Sequence, residues 1–101
     1  MKKEKKNLNT ILKMNKSTEI IKEELSYINE QALFADGFDK ALVGIDQSDY
    51  VAVYDIDKCI DILMEDMPYM TLDQIIEYFE YNTLGAYVGE YTPRFIKIYE
   101  Q

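Results

Sequence analysis

One hundred and one residues, 48% hydrophobic and 13% aromatic, suffice for one small core and exclude both a second domain and an unfolded acidic tail. With no His and a lone Cys59, the chain lacks the commonest general base, a zinc cage and an intrachain disulfide, so no metal or cofactor is expected. A net charge of −8 opposes direct contact with nucleic acid, and apolar stretches such as Ile60 to Met64 fall far short of the roughly 20 residues of a membrane span.

The charge is unevenly laid down. Residues 1–16 hold six Lys and one Glu, a balance of +5, while residues 17–101 hold five basic and eighteen acidic residues, a balance of −13. This divides the chain into a basic, mobile leader over 1–16 and a single acidic domain over 17–101. Within the leader, Leu8, Ile11 and Leu12 have helical spacing that suits a short docking turn. No secretion-signal pattern is present, which points to a reducing cytoplasm.

From Thr18 to Leu33, Ile21, Leu25, Ile28 and Ala32 draw one apolar stripe down a helix, with Ser17 or Thr18 as its cap and Asp36-Gly37 as its exit. Ala41 to Asp46 and Tyr50 to Asp55 read as two strands of a hairpin turning at Gln47-Ser48, with Gly44 marking a bulge or a close approach of backbone. Ile56, Cys59, Ile60, Leu63, Met64 and Met67 form the sharpest amphipathic pattern of the chain, and Pro68 stops that second helix. Thr71 and Gln74 fit a capping box opening a third helix, whose buried face is expected from Leu72, Ile75, Ile76 and Phe79. Phe95 to Tyr99 reads as a third strand added to the hairpin. The expected fold is a small α+β domain in the order α-β-β-α-α-β, with helices on one face of a mainly antiparallel three-stranded sheet.

Asp55 and Asp57 close an apolar strand in the manner of the first motif of haloacid-dehalogenase phosphotransferases. Lys58-Cys59 follows where Gly or Thr is normal, and the other motifs and the larger parallel sheet are missing. The simpler reading is that Asp55 accepts amide bonds at the helix start and Asp57 sits near its positive end, so no enzyme is expected. An alternative use is to hold Mg²⁺ with Asp61 or Asp46. Cys59 falls on the apolar stripe as a core residue. Met64, Met67 and Met70, with Tyr69 around Pro68, are either adaptable core or a contact patch. Asn82 is expected on the buried side of the third helix, bonded to backbone near Thr92-Pro93.

Asp57, Asp61 and Glu65 repeat every four residues opposite the apolar stripe, and Asp73, Glu77 and Glu80 nearly do so on the next helix. A helical turn rises about 5.4 Å, so each row spaces carboxylates much as phosphates are spaced along a strand of nucleic acid.

The stretches VAVYDIDKCIDILM and EYFEYNTLGAYVGEYTP resemble a family of short uncharacterised proteins carried by tailed phages and prophages. The matches run through Val51, Ala52, Val53, Tyr54 and Asp55, Cys59 and Ile60, Glu77 and Tyr78 (or Glu80 and Tyr81), then Asn82, Gly85, Ala86, Tyr87, Val88, Gly89, Glu90, Thr92 and Pro93. They cover roughly residues 36–96. Family members often enter the third helix through Gly-Met-Thr, and this chain has Pro68-Tyr69-Met70-Thr71 instead, so that turn is expected to differ. The resemblance implies a mobile-element origin and carries over no reaction.

The resulting expectation is an anti-defence inhibitor of the anti-CRISPR kind, whose acidic helices occupy the basic groove of a nucleic-acid-binding host nuclease. Asp57, Asp61, Glu65, Asp73, Glu77 and Glu80 would steer the encounter, and Tyr69 and Met70 would hold the partner. The competing expectation is a small-ligand (nucleotide) sponge or accessory factor, a homo-oligomer with its pocket near Asn82, Tyr87 and Glu90.

Overall fold

The computed structural model describes residues 5–99, with side chains from Ser17 onward. Helix α1 spans Lys5–Ile28, a 3-10 turn spans Asp39–Ala41, and strands β1 (Leu42–Asp46) and β2 (Val51–Asp55) form the hairpin. Helices α2 (Ile56–Asp66) and α3 (Leu72–Phe79) follow, then a π turn over Glu80–Leu84 and the short strand β3, Arg94–Ile96. Among the described residues no helix is long and apolar enough to cross a membrane.

The sheet is mixed. β1 pairs antiparallel with the central β2, with Gly44 opposite Val53 and a register shift between Leu42 and Gly44 that confirms the bulge. β3 pairs with β2 in parallel, Phe95 beside Tyr54. The mainly antiparallel sheet expected from the sequence is thus corrected. The reason lies in the connection: a strand joined through two helices returns by a crossover, and crossovers produce parallel neighbours.

α1 begins well before the expected start, and Ser17 and Thr18 lie inside it rather than capping it. The Thr18 hydroxyl instead donates to the Asp39 carbonyl, 3.2 Å away. The boundary drawn at residue 16 falls inside α1, and the side chains before Ser17 lie outside the described residues. The helix also ends earlier than Leu33. The Asn29 side chain accepts the Gln31 amide at 3.1 Å and donates to the Tyr50 carbonyl at 2.8 Å, replacing helical bonds with a local turn tied to the hairpin.

The core gathers Leu25 from α1, Cys59, Ile60 and Leu63 from α2, and Ile75 and Phe79 from α3 around Leu42, Ala52 and Tyr54 of the strands. Tyr54 is fully buried. Its ring stacks on Phe95 at 5.3 Å, Phe95 meets Phe79 edge-on at 5.6 Å, and Phe79 meets Phe38 at 6.1 Å. Its hydroxyl accepts the Ala35 amide at 2.8 Å, which gives a buried polar group its partner.

β2 enters α2 without a loop. One oxygen of the buried Asp55 carboxylate accepts the amides of Asp57 at 2.9 Å and Lys58 at 3.4 Å. The capping box of α3 forms as expected, with Thr71 and Gln74 exchanging bonds of 2.8 and 3.2 Å. At the far side of the sheet, Arg94 forks between Asp46 and Asp49 and fastens β3 to the hairpin turn.

Asp55→Ala removes a cap that is also buried, and is expected to lower unfolding free energy by about 1–2 kcal/mol. Asp57→Ala is expected to cost less than about 0.5 kcal/mol, because its partner Lys97 is exposed. Urea unfolding of both variants checks the ranking; equal losses would contradict the assignment of the cap to Asp55.

Candidate protein-binding surface

Helical period and a one-sided core turn the acids of α2 and α3 outward. With Cys59, Ile60 and Leu63 buried, Asp57, Asp61 and Glu65 fall on the opposite, exposed side of α2. With Ile75 and Phe79 buried, Asp73, Glu77 and Glu80 are exposed along α3 and its π turn. One member is neutralised: Asp57 pairs with Lys97 at 2.9 Å. Among the described residues no ion pair engages the other five.

The apolar part of this surface differs from the sequence reading. Leu72 and Ile76, expected in the buried face of α3, are 50% and 36% exposed. They stand one turn apart on the helix, and Tyr69 lies just before its start, 78% exposed. Met70 packs against the core and is only half-buried, so of the two expected contact residues Tyr69 alone stands clear of the body. The missed signal was width: four apolar positions in eight residues exceed what the outer helix of a thin domain can bury.

Asp55 and Asp57 do not share one site. The first holds helix amides and the second holds Lys97. Among the described residues no three His, Cys, Asp or Glu side chains gather as metal ligands.

Segment 85–93 separates two clefts. One, of about 970 Å³, has Tyr87 and Glu90 on its wall together with Tyr50, Tyr91 and Arg94. The other, of about 390 Å³, has Asn82 beside Phe34, Val88 and Pro93. The three residues grouped from the sequence as one pocket therefore lie on two sides of the segment. Asn82 is exposed, and its side-chain amide donates back to the Tyr78 carbonyl at 3.0 Å instead of bonding the Thr92-Pro93 backbone. The π turn over residues 80–84 is the physical cause, since its wider winding breaks the α-helical spacing by which Asn82 would have followed Phe79 inward.

The segment braces itself. The Thr92 hydroxyl accepts the Val88 amide at 3.0 Å and donates to the Gly89 carbonyl. Gly89 has φ 117°, a left-handed conformation that suits glycine. The neighbouring Glu90 carboxylate raises the Tyr91 phenol pKa, by hydrogen bonding and by charge.

Comparison with family models, with curated proteins and with solved structures found no match to this chain.

Cys59 is fully buried, and that burial, with the Asp55 charge adding to it, pushes its thiol up to about 12. Burial likewise pushes the Tyr54 phenol up to about 12. Between the ordinary values of 9.0 and 10.0 and these raised ones, the unfolded chain binds fewer protons than the folded chain. Stability must therefore fall as pH rises through that window. The urea midpoint is expected to hold up to about pH 9 and to decline above it, with a shallower decline in Cys59→Ala. A thiol reagent at pH 8 is expected to label Cys59 only on unfolding, and prompt labelling of the folded chain would contradict the burial.

Proposed function

We propose that this chain is a small acidic protein of phage type that binds and inhibits a host defence protein, in the manner of an anti-CRISPR, in the host cytoplasm. The partner is a nucleic-acid-binding nuclease, and the acids of α2 and α3 stand in for the phosphates of its substrate. The observation that carries this reading is the outward array of Asp61, Glu65, Asp73, Glu77 and Glu80, engaged by no ion pair among the described residues. The exposed Leu72, Ile76 and Tyr69 beside it supply apolar area. Carboxylates steer encounter with a basic groove, while the apolar side chains, desolvated on contact, slow release. The resemblance of residues 36–96 to phage proteins supports the mobile-element setting. No catalytic step is assigned to the chain.

A second reading, a small-ligand store or oligomeric accessory protein, is favoured by the cleft beside Tyr87 and Glu90. For a nucleotide it is weakened by Arg94, the one cation on that wall among the described residues, which is already engaged by Asp46 and Asp49.

Affinity purification from the host, followed by mass spectrometry and a nuclease assay, tests the proposal. A nuclease is expected in fixed proportion, and the purified chain should block its cleavage. The combined reversal Asp61→Lys, Glu65→Lys, Asp73→Lys and Glu77→Lys is expected to weaken binding about 100-fold or more, and raised salt to weaken the native complex. A reversed chain that still folds and still inhibits would refute the proposal, and a nucleotide released on heating would favour the second reading.

A further inference from the structure

The larger cleft carries rings that the core does not need. Tyr87 is 77% exposed, Tyr50 is 45% exposed and Tyr91 is half-buried, and all three line the same space. Tyr50 is the only non-glycine residue among those described with positive φ, at 57°. It ends the hairpin turn, where Gly or Asn would take the left-handed conformation at lower cost. Its backbone is held there by its amide bond to the Asp46 carbonyl at 2.7 Å and by Asn29 at its own carbonyl. An aromatic ring kept in a conformation that disfavours it is better explained by what the ring faces than by the turn.

Charge decides what the rings face. Asp49 and Glu90 lie on the wall, and the guanidinium of Arg94 is shared between Asp46 and Asp49. Counting Asp46, the described residues of the neighbourhood carry three carboxylates against one cation, on a chain of net charge −8. A phosphate or carboxylate ligand would meet repulsion, with no free cation on this wall among the described residues. A positive group would meet attraction and the negative faces of tyrosine rings, a contact that strengthens as water is excluded. The volume of about 970 Å³ lies at the upper end of ligand clefts and exceeds the needs of one side chain.

We propose that the cleft between the hairpin turn and segment 85–93 is a binding site for an arginine-bearing peptide segment of a partner protein, with Tyr50, Tyr87 and Tyr91 facing the guanidinium and Asp49 and Glu90 balancing its charge. The source of that arginine rests on the reading of the chain as a binder of basic proteins. The preference of the cleft for a cation stands without it.

The test is a titration of the full ¹⁵N-labelled chain with acetyl-Gly-Arg-Gly-amide, alongside its citrulline counterpart, which keeps the shape and loses the charge, and AMP. The arginine peptide is expected to shift the amide signals of Tyr50, Tyr87 and Glu90 and to bind about tenfold more tightly than the citrulline peptide, with the difference shrinking in high salt. Tyr87→Ala and Glu90→Gln, both at exposed positions, should each weaken it about three- to tenfold. Tyr50→Asn should weaken binding while raising the urea midpoint, an opposition that a purely structural role for Tyr50 would not produce. Absence of shifts, equal binding of the citrulline peptide, binding of AMP in place of arginine, or full binding by Tyr50→Asn would each overturn the proposal. Loss of the peptide site with nuclease inhibition intact would remove this inference alone, and peptide binding without inhibition would remove only the function proposed above.

Discussion

Tyr54 holds the domain together. It sits in the central strand, and its ring, hydroxyl and flanking backbone each bind a different part of the chain. The ring reaches β3 through Phe95 and, through Phe79 and Phe38, the third helix and the approach to the first strand. The hydroxyl secures Ala35 in the segment that follows α1, and the next residue, Asp55, starts α2. A three-stranded sheet has a single central strand, and the helices bury their apolar stripes around it: α2 packs on β2, α1 on β1, and α3 on α2. A large buried residue there, satisfied at its polar tip, anchors the one cluster to which all of them contribute without leaving an unpaired group.

Elements governed by neighbours in sequence were legible, and those governed by distant partners were not. The hairpin, the Gly44 bulge, the Asp55 cap and the Thr71-Gln74 box depend on residues within a few positions, and each appears where the local chemistry put it. The orientation of β3 depends on a crossover through two helices, so its strand pattern said nothing about direction. The π turn leaves no periodic trace, and by altering the winding after Phe79 it carried Asn82 away from the interior. The start of α1 was misplaced for a further reason: Ser17 and Thr18 have capping chemistry, but Thr18 spends its hydroxyl on the Asp39 carbonyl from inside a longer helix. The acidic rows were legible because they required only helical period and a core on one side. Which of them stayed unpaired was not, since Lys97 reaches Asp57 from forty residues away.

The ion pairs sort the surface into two kinds. Three cations are engaged: Arg94 by two aspartates, Lys97 by Asp57, and Lys22 by Asp39 at 2.9 Å. These pairs are partly exposed and each adds little to stability. Their larger effect is on the field, because Lys97 offsets the charge of Asp57 in the first turn of α2, while Arg94 offsets only one of the two carboxylates at the hairpin turn. The remaining turns of α2 and all of α3 keep their negative charge undiluted.

Segment 85–93 contains the most motif-like stretch of the chain, GAYVGEYTP, and its residues divide by role. A side chain on Gly85 would bring Cβ within 3.2 Å of the Glu80 carbonyl that its own amide binds, so closing the π turn favours glycine there. Gly89 needs its positive φ, and Thr92 ties both ends of the bend. Those positions set the shape. The side chains of Tyr87 and Val88 take no part in it, and the two residues are 77% and 60% exposed. Glu90 is exposed as well, and its side chain makes none of the bonds that brace the segment. Large apolar and charged side chains held outward on a bend fixed by glycines and a threonine follow a division common to binding loops: the backbone is built to be rigid so that its exposed side chains meet a ligand already in position.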